Sequence, residues 1–162
     1  MLSRVLRAAV DTDRDTVLTW RNHPEVRAVS FTTHEITPEE HAAWWGAVAV
    51  DPARKILIFE DEGRPAGVVM FDARDEVPSW GFYLDVAGLQ GALLAAWMRL
   101  EREAVEYAFE DLKYERLGGE TLASNKQVLA LHRRFGFRET RRYERLIDGV
   151  PQIVVWTERG RA

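Results

Sequence analysis

The sequence predicts a mixed α/β fold with one sheet of about seven strands, and three observations carry that prediction. Apolar runs of period two are separated by short polar turns, and two stretches with apolar residues three and four apart stand between later runs. The dipeptide Asp148-Gly149, a strong hairpin signal, divides the last two runs. Six prolines fall singly between apolar blocks and no repeat or low-complexity segment interrupts them, so residues 1–162 are expected to form one domain.

Residues 4–10 suit a first strand, and Asp11–Asp15 then supplies N-cap candidates for a helix carrying Val17, Leu18 and Trp20. A second helix starts at Thr37-Pro38-Glu39-Glu40, with threonine at the N-cap, proline at N1 and glutamate at N3. His41, Trp44, Trp45 and Val48 follow at helical spacing; adjacent tryptophans point about 100° apart on a helix, so at least one of Trp44 and Trp45 belongs to the core. Ile56–Phe59 and Ala66–Phe71, divided by the polar turn 60–65, read as an antiparallel hairpin, and Ser79–Asp85 as a third sheet strand.

A long helix with Trp97, Leu100, Ala104, Val105, Ala108, Phe109 and Leu112 on its packed face comes next, with Arg99, Arg102, Glu103 and Glu106 left wet. Leu117–Leu122 is then a strand, parallel to the one before because a helix lies between them. The helix 126–135 starts after Ser124-Asn125 and ends at Gly136, and strands 138–146 and 152–157 close the sheet. The expected order is β-α-α-β-β-β-α-β-α-β-β.

Composition narrows the function. The 162 residues include no cysteine, which removes disulfide scaffolds, cysteine nucleophiles and thiolate metal sites and suits a reducing compartment. With 22 basic against 26 acidic residues and a formal charge of −4, no bulk positive field attracts nucleic acid. The start, Leu2-Ser3-Arg4-Val5-Leu6-Arg7, is too short and charged for a secretory core, and no run of about 18 apolar residues occurs, so a cytoplasmic protein without a membrane segment is expected. Four scattered histidines form no metal spacing, and His23 and His34 have no geometry that demands a ligand role.

The local sequences Arg116-Leu117-Gly118-Gly119-Glu120-Thr121-Leu122-Ala123-Ser124-Asn125 and Leu129-Ala130-Leu131-His132-Arg133-Arg134-Phe135-Gly136-Phe137 supply a strand, an Asn-initiated helix and a Gly-Phe end. With the element order, they resemble the GNAT superfamily of acyl-CoA N-acyltransferases. The block Trp20–Arg27, with Ile36–Trp45 behind it, is similar to the acceptor half of one branch. That branch includes nucleotide-amino-sugar acetyltransferases of pseudaminic acid synthesis and, more distantly, enzymes that acetylate N-termini of ribosomal proteins. The superfamily's pyrophosphate loop, Arg/Gln-x-x-Gly-x-Gly/Ala, is altered here: Gly88 and Gly91 stand three apart in Asp85–Leu94, and no arginine or glutamine leads. About one extra turn then precedes Tyr107-Ala108-Phe109, so the helix is longer or the loop reshaped.

The resemblance implies acetyl-CoA as cosubstrate, without a metal. Phe82, Tyr83 and Leu84 would offer main-chain contacts to pantetheine, Gly88, Gln90 and Gly91 would face its phosphates, and Asn125 would bond the pantetheine arm, cap its helix, or do both. Lys126 is either a phosphate contact or a solvated lysine. His132 stands where many members carry the tyrosine that protonates the departing thiolate; the alternatives are a surface or a packed histidine. Glu120 interrupts an apolar strand and must reach a cleft or find partners; the resemblance makes it the general base, direct or through water, and the alternative is an ion pair with an arginine. Trp20, Arg21, Asn22, Arg27, His41, Trp45 and Trp80 form an aromatic and basic set suited to a nucleotide diphosphate-sugar, although tryptophans of this kind also build cores.

The leading expectation is therefore transfer of acetyl from acetyl-CoA to the amine of a nucleotide-linked amino sugar in a ternary complex. A protein N-terminus or another small amine is the second expected acceptor. A non-catalytic GNAT-like binding module, motivated by the irregular loop, is the third reading. The terminal hairpin and exposed tryptophans would support a homodimer.

Overall fold

The computed structural model describes residues 5–161; residue 4, at the start of the first expected strand, lies outside them. That strand is shorter than 4–10. β1 spans Leu6–Ala8, and a 3-10 turn at Asp11–Asp13 leads into α1 (Arg14–Arg21). The Asp13 carboxylate explains the early end: it accepts the Val10 amide at 2.8 Å and pairs with Arg7, which draws the chain out of the sheet.

A four-residue helix, α2 (Pro24–Arg27), is absent from the expected order. Pro24 occupies its first position and His23 Nδ1 accepts the Glu25 amide at 3.2 Å, a start signal present in the sequence. α3 (Pro38–Ala49) begins at the expected box, with the Glu40 amide donating to Thr37 Oγ1 at 3.1 Å and the Thr37 amide donating to Glu40 at 3.4 Å. The hairpin of β2 (Arg54–Asp61) and β3 (Arg64–Asp72) has a tighter turn than 60–65: only Glu62 and Gly63 lie between the strands, at φ 52° and 78°. A bulge at Phe59/Glu60 admits Pro65 to the ladder.

β4 (Ser79–Leu84) follows, then α4 (Leu93–Glu106), which continues through a π turn at Tyr107–Asp111. The extra length before Tyr107-Ala108-Phe109 thus extends the helix, and the wide turn keeps Ala108 and Phe109 buried. β5 (Arg116–Leu122), α5 (Lys126–Arg134), β6 (Arg138–Ile147) and β7 (Val150–Gly160) complete the chain. The seven strands lie in the order β1-β2-β3-β4-β5-β7-β6, with β4 and β5 parallel and the other neighbours antiparallel.

Helices cover both faces. Leu100, Ala104 and Ala108 pack with Phe59, Val69 and Leu84 on one face, whereas Val17, Trp20 and Trp45 pack with Ile58 and Val68 on the other. Each cluster removes large apolar side chains from water, the dominant favourable contribution to such a fold. Trp20, Trp45, Trp80 and Trp156 are buried, and Trp44 and Trp97 half-buried, so the tryptophans expected at a dimer surface are taken up by the fold instead. Among the described residues, no helix is long and apolar enough to cross a membrane.

Candidate active site

The site originates in one missing stretch of pairing. β4 and β5 meet at a single residue pair, Ser79 with Gly118, where the Gly118 amide donates to the Pro78 carbonyl at 2.9 Å. Gly119 permits that approach, since a Cβ there would lie 3.1 Å from the Trp80 carbonyl, while the adjacent Gly118 makes room for Trp156 of β7, whose Cζ2 would lie 2.3 Å from a Cβ. Beyond this pair the strands diverge. Strand alternation carries the Pro78 direction to Phe82 and Leu84, whose backbone groups face the gap, while the Asp85 amide bonds Ala66 on β3 and fixes Tyr83 in that opposite sense. The three expected main-chain contacts therefore reduce to two.

A cleft of about 900 Å³ fills the gap and opens towards both faces of the sheet. On the α4–α5 side it meets the start of α4. Ala92, the N-cap, offers no side-chain bond, so the amides of the first turn, from Leu93 on, lack an intrahelical acceptor and point at the approach to the cleft. The altered loop behaves differently at each expected position. Gly88 donates its amide to the Asp85 carboxylate at 3.0 Å and is thereby occupied; Gln90 and Gly91 are exposed, with Gly91 at φ 81°. The loop is anchored by buried Leu89, and none of Gly88, Gln90 and Gly91 lines the cleft itself. Asn125 does line it, and its Oδ1 accepts the Val128 amide at 3.4 Å, so the capping reading is realised at the cleft wall. An uncapped helix start beside an exposed strand edge fits an acyl-CoA: one supplies amides for phosphates, the other for the pantetheine arm.

His132 also lines this side, and it is packed rather than superficial, with 6% of its surface exposed. Its ring stands 5.4 Å from that of Trp80, 5.5 Å from Phe137 and 6.3 Å from Phe82. Nδ1 is 2.9 Å from both carboxylate oxygens of Glu101, a residue with no exposed surface. Glu101 is the functional-site residue that the pattern reading passed over. Its signal was there: it stands four residues after Trp97 and three before Ala104, on the apolar stripe of α4, where a carboxylate needs a partner.

Glu120 lines the opposite side of the gap. The Tyr143 hydroxyl and Arg145, at 3.0 Å, both donate to its carboxylate, so the arginine pairing weighed from sequence is present. Burial first, and then the bond to Glu120, pushes the Tyr143 phenol up to about 12. The Arg145 guanidinium also lies 4.5 Å over the Phe31 ring, which joins the β6–β7 hairpin to the acceptor wall.

The aromatic and basic set divides. Arg21 donates from Nη2 to the Thr32 carbonyl at 2.8 Å, while its Nη1 is buried in the cleft wall without an acceptor. Burial draws this guanidinium below its usual value, and burial holds the neighbouring Tyr83 phenol far above its own. His41, also on the wall, is buried against Trp44 and Trp45 with Nε2 unpartnered; desolvation, followed by the charge of Arg14, lowers its pKa. Trp80 lines the gap beneath His132.

Four residues of the set lie outside the lining. Trp20 is core, and so is Trp45, whose indole donates to Asp11 at 3.2 Å; its neighbour Trp44 is the one that reaches the cleft. Asn22 clasps Ile36, donating to its carbonyl at 2.9 Å and accepting its amide at 2.7 Å. Arg27 donates to the Thr33 carbonyl at 3.0 Å. These two polar residues hold the 28–37 loop that shapes the acceptor wall. His34 pairs with Glu40 at 3.0 Å, and among the described residues no group of three or more His, Asp or Glu is placed to hold a metal.

A sheet split between parallel neighbours, with an open helix start at one end and a polar wall at the other, defines an acyl-CoA-dependent N-acyltransferase. Residues 4–138 match the family described as Acetyltransferase (GNAT) domain, and the chain belongs to that family. Acetyltransferase PseH of Campylobacter jejuni subsp. jejuni serotype O:23/36 (strain 81-176) is 28% identical over 123 residues, which cover 75% of this chain and 74% of that one. Two solved structures share the fold. A putative phosphinothricin N-acetyltransferase has a TM-score of 0.81 at 23% identity, over 97% of this chain and 98% of the other. Spermidine N-acetyltransferase from Vibrio cholerae, solved with CoA and spermine, has a TM-score of 0.83 at 19% identity, over 96% and 94%.

Proposed function

We propose that the protein transfers acetyl from acetyl-CoA to the primary amine of a nucleotide-linked amino sugar, directly within a ternary complex. The observation that carries the acceptor class is Arg21: a buried guanidinium nitrogen on the acceptor wall with no acceptor of its own calls for an anionic oxygen from the ligand. Trp44 and Phe31 on the same wall offer ring faces to a base, and the likeness to PseH points the same way. Bound acetyl-CoA supplies the acyl carbon as a thioester. This chain's own part is to present the Phe82 and Leu84 backbone to the donor, hold the acceptor between Arg21 and Glu120, and manage one proton near His132.

A second reading, transfer to a protein N-terminus or another small basic amine, is favoured by the carboxylates of Glu25 and Glu40 on the same wall. A thiol-release assay across nucleotide-linked amino sugars, basic N-terminal peptides and polyamines separates the two. The first reading requires turnover of the sugar class, with Arg21→Gln raising the acceptor KM at least about tenfold and leaving the acetyl-CoA KM alone. Preference for peptide or polyamine, or an acceptor KM indifferent to Arg21, overturns it.

A further inference from the structure

We propose that Glu101 and His132 form a proton relay in which Glu101 is the positioning residue and His132 Nε2 both takes the proton of the acceptor amine and delivers it to the departing sulfur. The proposal rests on the transferase reading above but not on the identity of the amine.

A carboxylate only accepts, so with Nδ1 at 2.9 Å from both Glu101 oxygens the ring proton sits on Nδ1. The neutral ring then carries its lone pair on Nε2, while the side-chain hydrogen bonds of His132 to the described residues both run through Nδ1 and the residue lines the cleft. That tautomer cannot protonate a thiolate. It accepts a proton first, and only the resulting imidazolium, held opposite the Glu101 carboxylate, can donate from Nε2. The acid role expected of His132 is thus the second half of its work, and the base role is the first.

The surroundings suit this order. β4 presents Trp80 and Phe82 to the ring, the segment after α5 presents Phe137, and α4 presents Glu101, the charged group that the imidazole touches. Glu101 has no other hydrogen-bonding partner among the described residues and no exposed surface, so its position answers to His132 alone. Glu120, the alternative base, already receives Tyr143 and Arg145. In the transfer, the amine nitrogen bonds to the thioester carbon as its proton passes to Nε2. The carbon–sulfur bond breaks, sulfur takes the proton back from Nε2, and the ring returns to its starting tautomer. One proton enters and leaves, and no further reactant is needed.

Two measurements test the relay. Nitrogen NMR of the protein with labelled histidine, using His132→Phe to assign the ring, reads the tautomer without any acceptor. An Nδ1–H ring in the free wild type is expected; an Nε2–H ring overturns the proposal. Kinetics with whichever amine the acceptor screen identifies form the second arm. Glu101→Gln keeps the volume, but its amide can donate to Nδ1 and stabilise the wrong tautomer, so kcat should fall on the order of 100-fold, with the acetyl-CoA KM held within about twofold. The deficit should narrow in alkali, where hydroxide can take the amine proton and the departing thiolate needs no acid. Retained acetyl-CoA thermal stabilisation shows that the variant is folded and loaded. Wild-type kcat and pH profile in Glu101→Gln, or a larger kcat loss in Glu120→Gln that follows the base limb, overturns the relay. Failure of every nucleotide-linked sugar as acceptor alters the proposed function and leaves the tautomer result standing.

Discussion

Trp156 fills the space that any side chain on Gly118 would need, and that contact lies at the one point where β4 and β5 pair. The indole is fixed by its own bond from Nε1 to Glu158 at 2.7 Å and by the Arg141 guanidinium 5.1 Å over its ring. A methyl at Gly118 therefore meets a ring that cannot simply turn away, and overpacking of this kind costs about 1–3 kcal/mol. Gly118→Ala should lower the midpoint of urea unfolding accordingly. The same substitution should raise the acetyl-CoA KM, because the opening of the cleft is set from that pair. A variant with wild-type stability would show that the Trp156 ring has room to move.

Asp85 bears on donor affinity. Its carboxylate holds the Gly88 amide at 3.0 Å and places a negative charge in the loop that precedes the start of α4. An exposed pair of like charges interacts by up to about 1 kcal/mol, so the Asp85 carboxylate opposes a phosphate held beside this loop. Asp85→Asn keeps an oxygen for Gly88 and removes the charge, so it should tighten acetyl-CoA binding by up to about fivefold, most clearly at low salt. Calorimetric titration at two ionic strengths checks this; unchanged affinity at low salt would place the phosphates away from the loop.

Donor binding itself has a direct readout. Acetyl-CoA at about 100 times its dissociation constant should add roughly 2.7 kcal/mol of stability and raise the thermal midpoint. Deleting the adenine nucleotide and leaving acetyl-pantetheine tests the α4 start separately, since only the phosphates use its amides. An equal shift from both compounds would mean that the first turn of α4 contributes nothing.

The sequence made most of this architecture readable because its signals are local. Thr37-Pro38-Glu39-Glu40 starts α3, Asp148-Gly149 turns the last hairpin, and Gly136 ends α5 at φ 93°. The structure departs from the expected elements where a local signal is short or its consequence non-local. Pro24 after a capping histidine was enough for the four-residue α2, and Glu62-Gly63 alone makes the turn expected to span 60–65. At the site, strand periodicity marks Glu120 as an unusual position, a carboxylate in an apolar strand that needs a physical reason, whereas His132 is singled out by the family resemblance alone. Asn22 and Arg27 looked like ligand residues because their chemistry suits phosphate. Their use on the Ile36 and Thr33 backbone depends on how a loop folds back, which no spacing encodes. Glu101 is hidden for the opposite reason: one charge on an amphipathic helix passes as a solvated residue unless its angle is set against Trp97 and Ala104.

His41 makes the stability of the acceptor wall depend on pH. It is buried between Trp44 and Trp45 and lowered below the ordinary 6.5, by desolvation first and then by the charges of Arg14 and Arg21, with Asp15 acting the other way. A histidine lowered on folding binds fewer protons in the native state than in the unfolded one. Its contribution is therefore complete above the unfolded pKa of about 6.5 and is lost as pH falls from there through the folded value. Urea unfolding followed from pH 8 down to 5 should show stability declining below about 6.5. His41→Phe keeps a ring against both indoles but has nothing to protonate, so its curve should be flatter over that interval and cross the wild-type curve at the acid end. The described carboxylates with lowered pKa, Asp13, Glu40, Asp51, Asp72, Glu139 and Glu158, titrate in the carboxylate range and act below this interval, and Arg21, lowered by burial, stays far above it. A slope between pH 6.5 and 5 that is the same in His41→Phe would show that a different group carries it and that folding leaves the proton affinity of His41 unchanged.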